Sequence, residues 1–259
     1  MQRFNMKKQA GYTLIEIMIA LLLGLIIVAA TITIYITTIR GSTDTIRSAR
    51  LNHDLESVMT LMVNDIKRAG YWGGAVINAD SRDNPFTAAS TNLNIIGGNC
   101  ILYTYDGGSG NTGGVPHSDN GTVDSDEFYG FKFTNNSIQM RITGTNTTDC
   151  DDGTWQEFID GNQLNITALQ FSIAALTAQA AAGGVPALPA LNGTSRCINV
   201  TTDVSSDGIA CGDTAAANDN VAVKRVVNIR LAGTLDADAS VTKTLSSTVK
   251  VRNDHIFEK

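Results

Sequence analysis

The chain has 259 residues and a net charge of −6, a length that suits a single mid-sized domain together with an anchoring segment. Arg3, Lys7 and Lys8 contribute three positive charges, so the side chains beyond Gly11 sum to −9. That balance, with no basic run and no aromatic–basic interleaving, excludes nucleic-acid binding by the mature domain.

In chain order, a short basic stretch without acids comes first, then Gly11-Tyr12-Thr13-Leu14-Ile15-Glu16, then an uncharged run from Ile17 to Ile39. Those 23 residues would extend about 35 Å as a helix, enough for the ~30 Å hydrocarbon core of a bilayer. The basic residues before them would stay cytoplasmic, which leaves everything after Arg40 across the membrane. A secretory signal peptide fits less well, because the apolar run exceeds a typical signal core and no small-x-small cleavage site follows it. A plain signal anchor accounts for the run but not for Gly11 and Glu16. A carboxylate close to a spanning helix costs about 2.5 kcal/mol or more at the bilayer centre and less near an interface, so Glu16 is a functional candidate. An interfacial acid reaching toward water is the plainer reading of it.

This arrangement resembles the start of a type IV prepilin. The resemblance implies leader cleavage between Gly11 and Tyr12, methylation of the Tyr12 amine, and a role for Glu16 in attracting the amine of a neighbouring subunit during assembly. Tyrosine at position 12 departs mildly from the phenylalanine usual in the family. Met6 to Gly11 would alone form a short leader, so Met1 and Met6 are both candidate starts. The expected organisation is a cleaved leader over 1–11, a transmembrane and filament-core helix over 12–40, and a head domain over 41–259. Within the head, an amphipathic helix over 41–69 precedes loops and sheet over 70–259.

Beyond the apolar run, Ile46, Leu51, Leu55, Val58, Met62 and Ile66 recur at mostly three- and four-residue steps, the pattern of a helix laid with one face on a sheet. His53 falls on its polar side. Gly70-Tyr71-Trp72-Gly73-Gly74 ends the helix, with the aromatic pair folding back onto the core. No proline interrupts the helix, so no proline kink is expected. Residues 78–127 read mostly as loop, with one short apolar run from Cys100 to Tyr105. Asp119, Asp124, Asp126 and Glu127 cluster, but not at EF-hand spacing, which favours a solvated acidic loop over a calcium site.

Strands follow. Asn135-Asn136, between Phe131/Phe133 and the alternating Ile138, Met140 and Ile142, reads as a β-hairpin turn. Leu169, Phe171 and Ile173 alternate next, and the Ala-rich stretch with Gly183-Gly184 reads as an insertion loop. Val223, Val227, Ile229 and Leu231 mark one strand, with Arg225 an exception on its face, and Leu245 to Val251 the last. One long helix followed by antiparallel strands is an α+β, type IV pilin-like order.

Cys100, Cys150, Cys197 and Cys211 all lie beyond the apolar run, and four cysteines in an exported domain read as two disulfides. Three pairings are open. Proximity in sequence favours Cys197 with Cys211, leaving Cys100 with Cys150. A zinc site would need close ligand pairs, and no C-x-x-C occurs. No P-loop, nucleophile elbow or metal-ligand spacing is present, and His53, His117 and His255 are far apart, so no enzyme activity and no cofactor is expected. Asn146-Thr147-Thr148 fits a glycosylation sequon but carries little weight in the bacterium the leader implies.

Asp65-Ile66-Lys67-Arg68-Ala69-Gly70-Tyr71-Trp72-Gly73 resembles the helix end of PilW-type minor pilins. The closing stretch Leu245–Asn253 is similar to that group and to the J-type pseudopilins of type II secretion. The resemblance implies a bacterial inner-membrane protein with a periplasmic head that joins a cell-surface pilus. Its implied partners are a prepilin peptidase, an inner-membrane assembly platform, the major pilin, other minor pilins and a large tip adhesin. Its implied role is priming of pilus assembly at or near the tip, in support of adhesion, twitching motility or DNA uptake. A pseudopilin, or a tip adhesin that binds a ligand itself, are the alternatives.

Overall fold

A computed structural model describes residues 11–73, 80–107, 120–159, 164–183, 185–209, 211, 215–235 and 238–259. The basic leader, Gly74, Asp119, His117 and Gly184 lie outside the described residues. The chain divides into two compact units, one ending at Ala49 and one from Arg50 to Lys259.

The described part of the first unit is helical apart from its first three residues. It belongs to α1, Leu14–Ile66, the one α-helix among the described residues. From Tyr12 to Ile39 its large apolar side chains are almost all exposed. Ile46, expected on the buried face, is 60% exposed. Every threonine from Thr31 to Thr45 donates its hydroxyl to a carbonyl three or four residues back, as Thr33 does to Ala29 O (2.9 Å) and Thr38 to Ile34 O (2.8 Å).

In the second unit, Leu51, Leu55, Val58, Met59, Met62 and Ile66 of α1 enter the main core. Among the described residues the strands form three antiparallel sheets. The first contains β1 (Asn94–Ile96), β2 (Cys100–Thr104), β3 (Phe128–Thr134), β4 (Ser137–Thr143) and β5 (Thr154–Glu157), in that order. The second runs β11 (Asp238–Lys250), β10 (Val226–Leu235), β6 (Leu164–Ser172). The third runs β12 (His255–Glu258), β9 (Asn220–Lys224), β7 (Arg196–Asn199), β8 (Val204–Asp207). The first two sheets share the core with α1, and they are tied where Phe171 N–H donates to Gly98 O (2.7 Å) and Ile166 N–H to Asn136 O (3.0 Å). The third has its own small core around Cys197, Cys211, Val221 and Val223. This is an α+β pilin-like fold, one long helix on antiparallel sheet.

Asn135 and Asn136 both take positive φ (50° and 58°) and join β3 to β4 as a two-residue turn, the geometry that matches strand twist. Other local expectations need correction. The described part of residues 78–127 holds two strands and three short 3-10 helices; β2 is buried along its whole length and so shows no alternation. Val223 and Val227 sit in different sheets: Arg225, itself buried, separates β9 from β10. Leu245–Val251 is followed by a further strand, β12. The Ala-rich stretch is a ladder of isolated bridges, Leu176 with Leu191, Gln179 with Leu188, and Ala182 with Val185. Tyr71 is 40% exposed and does not fold into the core, while Trp72 is half-buried and donates Nε1–H to Gly121 O (3.2 Å).

Candidate functional site: the two ends of the helix

At the start of α1, Gly11 and Tyr12 are exposed, Tyr12 by 84%, and a side chain at Gly11 would meet nothing within 4 Å. The helix opens on a reciprocal cap. Thr13 N–H and Thr13 Oγ1–H both donate to Glu16 Oε2 (2.9 Å each), and Glu16 N–H returns a bond to Thr13 Oγ1 (3.4 Å). Thr13 is the residue before the first helical turn and Glu16 the third within it, so each satisfies an amide that the helix leaves without a carbonyl. The Thr-x-x-Glu spacing carries this signal in sequence, and Thr13 is the functional neighbour that the motif reading missed.

At the other end, the helix-terminal segment and the chain's closing segment meet. Gly70 turns the chain with φ 74°, and a Cβ there would come within 2.9 Å of Arg225 and 3.0 Å of Thr87, so glycine is required twice over. Arg252 N–H donates to Lys67 O (3.1 Å), and Asn253 Nδ2 donates to Arg68 O and Ala69 O (3.2 Å each). These carbonyls belong to the turn that follows the helix, where Arg68 O also accepts from Tyr71 N–H (2.9 Å). Buried Arg225 donates to Asn253 O (2.7 Å) and to Asn92 Oδ1, and Asn92 Nδ2 faces His255 Nδ1 at 3.2 Å. Burial, with the Arg225 charge beside it, pulls the His255 pKa down to about 4.

Asp65 anchors the same end of the helix to the first sheet. Its carboxylate accepts the hydroxyls of Tyr103 (2.6 Å) and Tyr105 (2.7 Å). Tyr105 lies face to face with Tyr129 at 3.9 Å, and the Arg68 guanidinium sits 4.0 Å from the Tyr105 ring centre. Burial first, then the Asp65 charge, pushes both hydroxyl pKa values well above the usual phenol range. These tyrosines are locked as structural donors rather than as acids.

The remaining sequence candidates are distributed. Cys100 is bonded to Cys150 and Cys197 to Cys211. Asp124 and Glu127 cap a short 3-10 helix instead of facing a common point. Glu127 accepts from Asp124 N–H (2.9 Å) and Gly107 N–H (3.0 Å) while burial raises its pKa. Among the described residues no group of three acids, histidines or cysteines is placed to hold a metal. His53 is exposed beside Asp54, whereas His255 faces Asn92.

Comparison with known families decides the identity. Residues 6–32 match the prokaryotic N-terminal methylation motif, and residues 44–251 match prepilin peptidase-dependent protein B. The chain belongs to the prepilin peptidase-dependent protein B family. It is thus a pilin-like protein of the type IV pilin and pseudopilin class, a substrate of prepilin peptidase and a structural protein rather than an enzyme. Its apolar amino-terminal helix, long enough to cross a bilayer, is that of a membrane-anchored pilin. No curated protein and no solved structure matches the chain.

Proposed function

We propose that this chain is a PilW-like minor pilin that primes assembly of a type IV pilus and sits at or near its tip. The leader 1–11 is removed at Gly11–Tyr12 and the Tyr12 amine is methylated. Residues 12–40 first anchor the protein in the inner membrane and then pack in the filament core, with 41–259 as the periplasmic head. The partners are the peptidase, an inner-membrane assembly platform, the major pilin, other minor pilins and a large tip adhesin. Adhesion, twitching motility or DNA uptake then depend on it indirectly.

The observation that carries this reading is the apolar run of α1 that none of the described residues covers, directly behind a prepilin motif. Packing of that face against partner helices keeps it from water once the helix has left the bilayer, which stabilises the filament by about 25 cal/mol per Å² relative to an exposed helix. The size of the head and the long segments between its strands suit a filament end better than a repeating lattice position. The test is the amount of pilus sheared from cells lacking only this chain. A collapse restored by the intact gene supports a priming minor pilin. Unchanged pili with defective protein export would make it a J-type pseudopilin of type II secretion. Unchanged pili with lost surface attachment would make it a dispensable tip adhesin.

A further inference from the structure

Within the second unit, α1 carries an uncovered ridge. His53, Ser57 and Leu61 follow one another at four-residue steps on one face of the helix, all three are exposed, and all three line two clefts. The larger cleft, about 1010 Å³, lies between α1 and the β3–β4 pair, with Leu61, Tyr129, Met140 and Ile142 on its walls. The smaller, about 390 Å³, is lined on its other side by Phe158, Ile159 and Leu164. Leu61 and Ile142 both show their apolar surface to solvent. A ridge with a groove on each side is a surface against which another helix packs.

The accessible rim of the larger cleft is acidic. Glu56 is exposed and makes no ion pair with any described residue, and Asp126 lines the sheet side. The two arginines of the lining are engaged elsewhere. Arg68 lies over the Tyr105 ring and 3.9 Å from Asp65, and buried Arg141 is paired with Asp152. The groove therefore fits an apolar helix edged by basic residues.

The chain itself presents such a stripe. Ile39, Thr43 and Ile46 share one face of α1 at steps of four and three, and Arg40 and Arg47 each follow an isoleucine, which sets both on the same flank of the stripe. Both isoleucines are exposed. Ile46 lies beyond Arg40, past the end of the uncharged run, where the hydrocarbon of a bilayer no longer covers it. The one carboxylate near Arg47 is Asp44 at 4.0 Å, and both groups are exposed, so this pair leaves the arginine available to a partner.

We infer that the ridge seats a second copy of this chain, with Ile39 and Ile46 of one copy packed beside Leu61 of the next and Arg47 of the first set against Glu56 of the second. The inference rests on the reading that these subunits assemble through α1, and not on a position at the tip. Ile46 and Leu61 stand at different levels of the same helix, so the contact is staggered. Each copy keeps an open ridge or an open stripe for a further copy, and repetition adds copies in one direction. Two copies anchored at one depth in a bilayer cannot make this contact. It forms as one of them is drawn outward.

The test uses the full chain in detergent, where no bilayer holds two copies at one level and no assembly machinery is needed. Ile46→Cys chains and Leu61→Cys chains are oxidised mildly, mixed and apart, and the linked dimer is measured. The mixture should give about fivefold more dimer than either chain alone. Arg47→Glu in the first chain, or Glu56→Arg in the second, should lower the yield about fivefold, and the two together should restore it. All four positions are exposed, so the melting temperature of each chain should hold. The inference is overturned if folded chains give no mixed dimer, if Ile46→Cys alone links as well as the mixture, or if the paired charge reversal fails to restore what each single reversal removed. A lost mixed dimer beside a collapse of pili in cells lacking the chain would remove this contact and keep the priming role. A mixed dimer beside unchanged pili would do the reverse.

Discussion

Thr13 and Glu16 exchange hydrogen bonds in both directions, so the glutamate at the head of the apolar helix is also its amino-terminal cap. Loss of a cap costs about 1 kcal/mol. That is too little to stop a 53-residue helix from forming, so the cap and the charge of Glu16 can be tested apart. Glu16→Gln keeps an acceptor for Thr13 and removes the charge, whereas Glu16→Ala removes both. Both variants should be cleaved normally and both should fail to enter filaments, measured as the processed subunit in sheared pili. Normal entry of the Gln variant would leave the cap as the residue's whole contribution.

Asp65 holds two tyrosine hydroxyls, one of them fully buried. Asp65→Ala leaves both without an acceptor and should destabilise the chain by about 3 kcal/mol. Tyr103→Phe removes one hydroxyl and leaves the carboxylate its other partners, so it should cost about 1 kcal/mol. Urea unfolding followed by tryptophan fluorescence would measure the difference. Equal losses in the two variants would refute the anchoring role.

His255 gives the head a pH response of definite sign. Arg225 and Leu93 N–H hold the Asn92 carbonyl oxygen, which turns Asn92 Nδ2 toward His255 Nδ1 and demands a neutral imidazole there. The folded pKa near 4 lies below the unfolded value of 6.5. Between the two, the unfolded chain binds the proton and the folded one does not. Stability from this group is therefore full above pH 6.5, falls as the pH drops toward 4, and levels off below. With allowance for solvent screening of a half-buried ring, the loss is about 1–2 kcal/mol. His255→Asn should flatten that part of the stability curve, and an unchanged slope would remove His255 as its source.

The two disulfides close loops of different length, with separations of 50 and 14 residues. The chain-entropy argument makes the longer closure worth about 4 kcal/mol and the shorter about 3. The Cys100→Ser/Cys150→Ser pair should thus lower the urea midpoint more than Cys197→Ser/Cys211→Ser. The shorter bridge sits inside the small core of the third sheet. Its removal should raise amide exchange there first, in β7 and β9, before the main core responds.

Much of the architecture was legible because its signals are local. Asn135-Asn136 demanded positive φ, and the alternation on either side placed β3 and β4. The helix showed in its periodicity from Leu51 to Ile66. What was not legible depends on contacts distant in sequence. Ile46 continues the helical pattern but is exposed. The apolar alternation runs straight through Arg225, so the change of sheet there shows only once Asn92 and Asn253 are seen to hold its guanidinium. The amino-terminal motif was readable as chemistry at Gly11, Tyr12 and Glu16. The junction at the helix end was not, because Lys67 and Arg252 are brought together only by the whole fold.

The threonines of α1 from Thr31 to Thr45 hand their hydroxyl hydrogens to carbonyls of their own helix. The stretch from Thr31 to Thr45 thus has no threonine hydrogen bond that must be broken and remade when its surroundings change. For its uncharged part, from Thr31 to Ile39, moving from hydrocarbon to a protein interior exchanges one apolar contact for another, and the threonines add close to zero polar cost. A subunit built this way can be drawn out of lipid, or returned to it, without its threonines opposing either step. The direction of travel is then decided by its neighbours and by how they receive the Glu16 carboxylate.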